Sequence, residues 1–404
     1  MVDFNAFAGW RPAPARAAEV AAVPYDVVDT AEARALVDGL PDSILRVTRP
    51  DVDLPDGTSL HEPAAYAAAQ AAFARLIEKG VLQKDATPHF YAYAQRMGTH
   101  RQVGLMGLAS AADYRAGRIK KHEFTRPAKE DDRKRHIEAV RAHLGPVFLA
   151  YRASADINAR VARLTAGPAV VDFVAPDGIQ HQLWPIDDAK DVAALTAAFA
   201  ALPAFYIADG HHRAAAAARV GEGAGDDDPR SRFLAVAFPD TALRILPYNR
   251  VVADRNGHSV EDLRAALDKH FAITPLKAAA EPEARHEFSL YLGGVWHRMT
   301  LRPEAAPDEA DPVARLDVSV LQSLVLAPLL GVADPRTDER IDFVGGIRGL
   351  GELAKRAGAD GVAFALYPTS LDELMAIADA GEVMPPKSTW FEPKLRTGMV
   401  INRY

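Results

Sequence analysis

The chemically densest stretch of the sequence is Asp209-Gly210-His211-His212-Arg213, which follows the apolar run Phe205-Tyr206-Ile207-Ala208. An apolar strand that ends in Asp-Gly and reopens as a helix leaves backbone N–H groups unsatisfied, and the helix dipole favours an anion there. Gly210 lets a ligand approach the backbone closely. Arg213 offers a forked grip on phosphate, and His211 and His212 add donors at the same place. Asp209 either caps the helix or holds a Mg²⁺ that accompanies a nucleotide. The plainer alternative is an N-cap followed by solvated histidines. Adjacent histidines point in different directions on a helix, so they make a poor zinc pair.

A second constellation is Lys120-Lys121-His122-Glu123-Phe124-Thr125-Arg126, followed by Lys129-Glu130-Asp131-Asp132-Arg133. It is either a solvated charge run leading into a surface helix or an active-site loop. In the second case Lys121 and Arg126 would meet phosphates, and His122 or Glu123 would act as general base. A third, residues 384–398, mixes prolines, cations, hydroxyls and two aromatics. Lys387, Ser388, Thr389, Lys394 and Arg396 make it a candidate substrate clamp, while Trp390 and Phe391 equally suit a rigid tail packed into the body.

These segments need elements to position them. Residues 205–208 predict a strand and 211–220 a helix, with an acidic Gly-rich loop over 221–229. Residues 129–143 predict a charged helix, and 61–80 an Ala-rich amphipathic one. Alternation over 89–97 and 102–110, turned at Gly98, predicts a hairpin, as do 170–175 with 180–186 around Asp177-Gly178. Residues 43–48, 147–151, 233–238 and 243–252 predict strands, 188–202 and 260–270 helices, and 287–301 a hairpin. The Pro-, Asp- and Glu-rich residues 305–312 mark a loop or boundary. Beyond them, a helix over 318–330 and alternating strands and helices to residue 380 give a βαβα tail. The expected class is therefore mixed α/β (α+β), in three parts: 1–150 with the Lys/His/Glu/Arg loop, 151–304 with the Asp-Gly-His-His-Arg turn, and 313–404 with the Pro/Lys-rich loop.

Composition narrows the function. The 404 residues contain no cysteine, which excludes disulfides, thiolate catalysis and thiolate metal sites. A formal net charge of −7 and the lack of a basic recognition helix argue against DNA binding. No window approaches 18 unbroken apolar residues and no signal-peptide pattern opens the chain, so a soluble, cytoplasmic protein is expected.

The residues 23–27 (Val-Pro-Tyr-Asp-Val), the Lys120–Arg126 run with Lys129-Glu130 and Asp132-Arg133, Ala208 to Arg213, and 384–398 together resemble the bacterial domain-of-unknown-function family 1015, whose members are often labelled ParB-like. The Asp-Gly-His-His-Arg element is similar to a turn of the wider ParB/sulfiredoxin-like nucleotide-binding superfamily, which includes CTP-dependent partition proteins, sulfiredoxin and free-serine kinases. That resemblance implies a ParB/sulfiredoxin-like core with mixed sheets. It implies that Gly210, His211, His212 and Arg213 cradle the phosphates of a nucleoside di- or triphosphate with Mg²⁺. Without cysteine, sulfiredoxin chemistry does not transfer. The expected function is a nucleotide-dependent phosphotransferase on a small hydroxylated metabolite, free serine being a candidate, with Glu123, His122 and His211 as catalytic candidates. The alternative is a ParB-like nucleotide-binding switch.

Overall fold

The computed structural model describes all 404 residues, Met1–Tyr404. The class is mixed α/β, and the chain divides into two compact units. The first comprises Met1–Leu243 and Pro393–Tyr404, and the second Arg244–Glu392. This differs from the three parts expected from sequence. The break at 150/151 falls inside the strand Val147–Tyr151, whose neighbours on both sides come from beyond it. The loop at 305–312 lies within the second unit.

The first unit is built on a nine-stranded mixed sheet. The hairpin Phe90–Met97 and His100–Ser110 sits near its middle, turned at Gly98 with φ 59°. On one side follow Gln180–Ile186 and Val171–Val174, antiparallel around Asp177-Gly178. On the other come Arg232–Pro239, then Val147–Tyr151 parallel to it, then Phe205–Asp209 antiparallel, and Ile119–Lys120 at the edge. Strands buried on both faces read as continuous apolar runs rather than alternating ones, and Phe205–Ala208 is buried throughout.

Two helices matter for the site. His211–Val220 buries Ala214 to Ala218 without a break; alanines let it press closely against its surroundings, including the helix Pro127–Val140. Pro127–Val140 starts on a proline suited to its first turn and stops where Arg141 turns left-handed at φ 53°. It therefore ends before residue 143. Ala142–His143 leaves it as a short strand paired with Asn402–Arg403.

Residues 43–48, expected as a strand, instead hold the helical turn Leu45–Thr48. Ile44 and Val47 supply its apolar contacts to the helix Pro63–Glu78, which buries Ala65, Ala69, Ala72, Phe73 and Leu76 along one stripe. Burial of those side chains decides the conformation over their β-propensity.

The second unit carries a six-stranded sheet in the order Phe271–Pro275, Val295–Leu301, Glu287–Leu292, Val362–Leu366, Tyr248–Val252, Ile341–Gly345. Its tail does alternate strand and helix, with Gly349–Ala357 and Leu371–Ala380 as the helices. The strands Ile341–Gly345 and Val362–Leu366 are not neighbours: Tyr248–Val252 lies antiparallel between them. The expected helix over 318–330 is shorter, Asp317–Leu321, and continues as the wider turn Gln322–Leu326. No helix is long and apolar enough to cross a membrane.

Candidate active site

The strand Phe205–Asp209 does not reach its end in register. Opposite Val147–Tyr151, Ile207 pairs with Leu149 and Asp209 with Phe148, so Ala208 is an extra residue. Such a bulge re-aims the side chain that follows. Gly210 then adopts φ 90°, a left-handed conformation open to glycine, and becomes the N-cap of His211–Val220. It carries no side-chain cap, so the first N–H groups of the helix remain available to an anion.

Asp209 does not cap the helix. One carboxylate oxygen accepts from Arg213 Nη2 at 2.6 Å, and the other from Lys394 Nζ at 3.1 Å. Burial works against the Asp209 charge, but Lys394 and Arg213 outweigh it and hold the carboxyl below the usual range. Arg213 also donates through Nη1 to the Pro146 carbonyl, and its guanidinium packs where a Cβ on residue 210 would lie, 2.9 Å from Nε. Strand end, glycine, arginine and the returning lysine form one braced unit.

The loop before Pro127–Val140 closes on this turn. His122 and His211 are both buried and meet edge to face, ring centroids 4.5 Å apart. Burial pushes His122 down to about 4 and, with His122 beside it, pushes His211 well below the ordinary histidine range. Both are neutral at pH 7. His211 Nδ1 lies 3.7 Å from Glu123 Oε2, and its Nε2 is buried without a hydrogen-bond partner. Glu123 keeps 43% of its side chain exposed, so it faces solvent. His212 accepts the Arg126 backbone N–H at Nε2, 3.0 Å away, which ties the loop to the helix. Lys121 Nζ stands 5.0 Å over the Tyr114 ring, close enough for its charge to bear on His211. The His122–Glu123–Arg126 segment and the Asp209–Arg213 turn are therefore one constellation.

The third segment divides. Lys394 and Arg396 belong to the first unit, while Lys387, Ser388 and Thr389 belong to the second. Arg396 is buried away from the turn, donating to Asp177 and lying 3.2 Å from His181 Nε2. In the second unit Lys387 is left-handed at φ 59° with Nζ 5.5 Å over Tyr248, and Ser388 Oγ donates to the Pro385 carbonyl at 2.6 Å. Thr389 continues the same loop into the short strand Trp390–Phe391. Arg250, buried beneath, donates to the Tyr248 and Pro386 carbonyls.

Asp209 was also the expected magnesium ligand. Both of its oxygens are taken by cations, and no group of three or more His, Asp or Glu side chains is arranged for a metal. A divalent ion on Asp209 would sit against the charges of Lys394 and Arg213 with no further carboxylate or imidazole to hold it, so the residues present do not fit one there. Sequence reasoning understated Tyr25 and Asp26. Tyr25 packs under the Arg133 guanidinium at 4.1 Å, and the Asp26 charge bears on both His212 and Arg213. The signal was the run Val23 to Val27, which carries the family resemblance.

Comparison with solved structures finds chains of the same kind at low similarity. SbnI with a C-terminal truncation from Staphylococcus aureus is 13% identical with a TM-score of 0.40, covering 74% of this chain and 87% of that one. A free serine kinase in complex with AMP is 12% identical with a TM-score of 0.36, covering 70% and 86%. A conserved hypothetical protein from Pyrococcus furiosus is 14% identical with a TM-score of 0.36, covering 73% and 94%. No curated protein matches the sequence. A family match does extend from residue 4 to residue 319, and the chain therefore belongs to the family described as Protein of unknown function (DUF1015).

Proposed function

We propose that the protein is a phosphotransferase that moves a phosphoryl group from a nucleoside di- or triphosphate to the hydroxyl of a small metabolite, with free serine as a candidate acceptor. The observation that carries this reading is the junction of an uncapped helix N-terminus, a braced Arg213–Asp209–Lys394 network and the half-exposed carboxylate of Glu123, all around Gly210. Phosphoryl transfer asks a protein mainly for positioning and charge stabilisation, and such a turn supplies both.

In this mechanism the donor phosphates rest on the N–H groups of residues 211–213. Arg213 and Lys394 lie beside them, fixed by Asp209, so little reorganisation is needed as charge moves. Glu123 takes the proton of the acceptor hydroxyl. The hydroxyl oxygen bonds to the terminal phosphorus, the bond to the bridging oxygen breaks, and the nucleotide leaves one phosphate shorter. His211, neutral and beside Glu123, steers that carboxylate. Magnesium at Asp209 is left out of the scheme for the reason given above.

The test is a coupled assay of nucleotide consumption against serine, threonine, glycerate and homoserine. Glu123→Gln should lower turnover by roughly a hundred- to ten-thousand-fold while nucleotide binding persists. Arg213→Ala should weaken both. Tight nucleotide binding with no acceptor-dependent turnover would replace the proposal with a nucleotide-binding switch.

A further inference from the structure

Arg213 and Ala217, four residues apart on one face of His211–Val220, line a cavity of about 50 Å³ within the first unit. Much of its wall is apolar, with Leu144, Val147 and Phe233 among its residues. Residues lining it carry three buried polar atoms that have no hydrogen-bond partner: Thr48 Oγ1, His143 Nε2 and Arg213 Nε. Thr48 and His143 are each only 5% exposed. Buried polar groups are normally satisfied, so three around one space point to a ligand that supplies the missing partners.

The three groups share a polarity. Arg213 Nε always bears hydrogen. The Asn402 amide nitrogen lies 3.3 Å from His143 Nδ1 and can only donate, so Nδ1 accepts and the ring hydrogen sits on Nε2. The Thr48 hydroxyl rotates to donate as well. Unpartnered donors on three residues around one cavity match a group that only accepts, such as a carboxylate. Two of the three donors are neutral, and Arg213 and the other lining guanidinium, Arg133, already hold Asp209 and Asp132. The balance suits a monoanion better than a doubly charged phosphate. Size agrees: one water occupies about 10–15 Å³ of such space, so the cavity admits a few heavy atoms but not a nucleoside.

We propose that this cavity is a carboxylate subsite that takes the acid group of a small hydroxy or amino acid. That this acid is the phosphoryl acceptor rests on the phosphotransfer reading above; that it binds here does not. Calorimetric titration of the full chain, without nucleotide, with L-serine, D-glycerate and inorganic phosphate tests it. At least one of the two acids should bind. Thr48→Val, nearly isosteric, should weaken that binding about ten- to a hundredfold and still unfold cooperatively. Ala217→Leu should fill the cavity and abolish it. A crystal grown with the bound acid should place its carboxylate against Thr48 and His143. Absence of heat with both acids, preference for phosphate, water alone in the cavity, or unchanged affinity in Thr48→Val would each overturn the assignment. Acid binding that responds to Thr48→Val with no phosphoryl transfer would sink the phosphotransferase and keep the subsite. Transfer whose acceptor KM ignores Thr48→Val would do the reverse.

Discussion

Lys394 Nζ reaches Asp209 Oδ1 at 3.1 Å across 185 positions of sequence, and Arg213 holds the other oxygen of the same carboxylate. One acidic side chain thus fixes two cations on either side of the Gly210 turn. Asp209→Asn leaves both cations without their counter-charge. The expected loss is roughly 1–3 kcal/mol, moderated because the Asp209 side chain keeps 31% exposure. The difference from the parent protein in urea unfolding should be constant above pH ~4, the ordinary carboxyl range. A depressed folded-state pKa gives stability that is complete above the unfolded value and disappears as pH falls through the folded one, so the two curves should converge in acid.

Gly210→Ala forces a Cβ into a left-handed residue at φ 90° and to 2.9 Å from Arg213 Nε. A cost of about 1–2 kcal/mol in unfolding free energy is expected from the backbone alone. Displacement of Arg213 should show separately, as weaker binding of nucleotide at a temperature where the variant remains folded.

Burial pushes His122, His136 and His143 down to about 4. Each is neutral in the folded protein at a pH where the unfolded chain, near 6.5, takes a proton. Stability should therefore fall as pH drops from 6.5 toward 4, by about 1.4 kcal/mol per pH unit for each proton the unfolded state gains. His136→Gln should flatten that slope by about one proton. An unchanged slope in thermal unfolding at pH 5 would show that His136 titrates normally.

In the second unit the pKa shift runs the other way. Burial raises Asp317 to about 7, against the bond its Oδ1 accepts from the His286 N–H at 2.8 Å. A raised folded-state pKa gives stability that is present in acid and lost as pH rises through 7. Asp317→Asn keeps the oxygen that accepts from His286 and removes the charge. Relative to its effect below pH ~4, it should stabilise the unit progressively as pH rises from about 4 to 7, by at most about 1.4 kcal/mol per pH unit, and by a constant amount above pH ~7, as read from the denaturant midpoint.

The turn at the centre of the site was legible because the sequence changes period there, from an unbroken apolar run to Ala-rich helix, with Gly210 at the switch. The hairpins at Gly98 and Asp177-Gly178 were legible for the same local reason. Residues 43–48 were not. Ile44, Leu45 and Val47 carry a strand's side chains, and only their contacts with Pro63–Glu78 make them a helical turn. The Lys394–Asp209 bond has no local signature, since nothing near either residue anticipates the other. The border after Leu243 was hidden inside what looked like one strand over 243–252, while the Pro- and Asp-rich residues 305–312 drew attention to a loop that divides nothing.

The chain leaves the first unit after Leu243 and rejoins it at Pro393. A ribosome adding about 5–20 residues per second therefore completes residues 244–392 before the first unit receives Lys394. For about 10–40 seconds of synthesis, by that rate, the nascent Asp209 has Arg213 but lacks its distant lysine. The second unit has its whole sequence first, and the braced turn can be finished only afterwards.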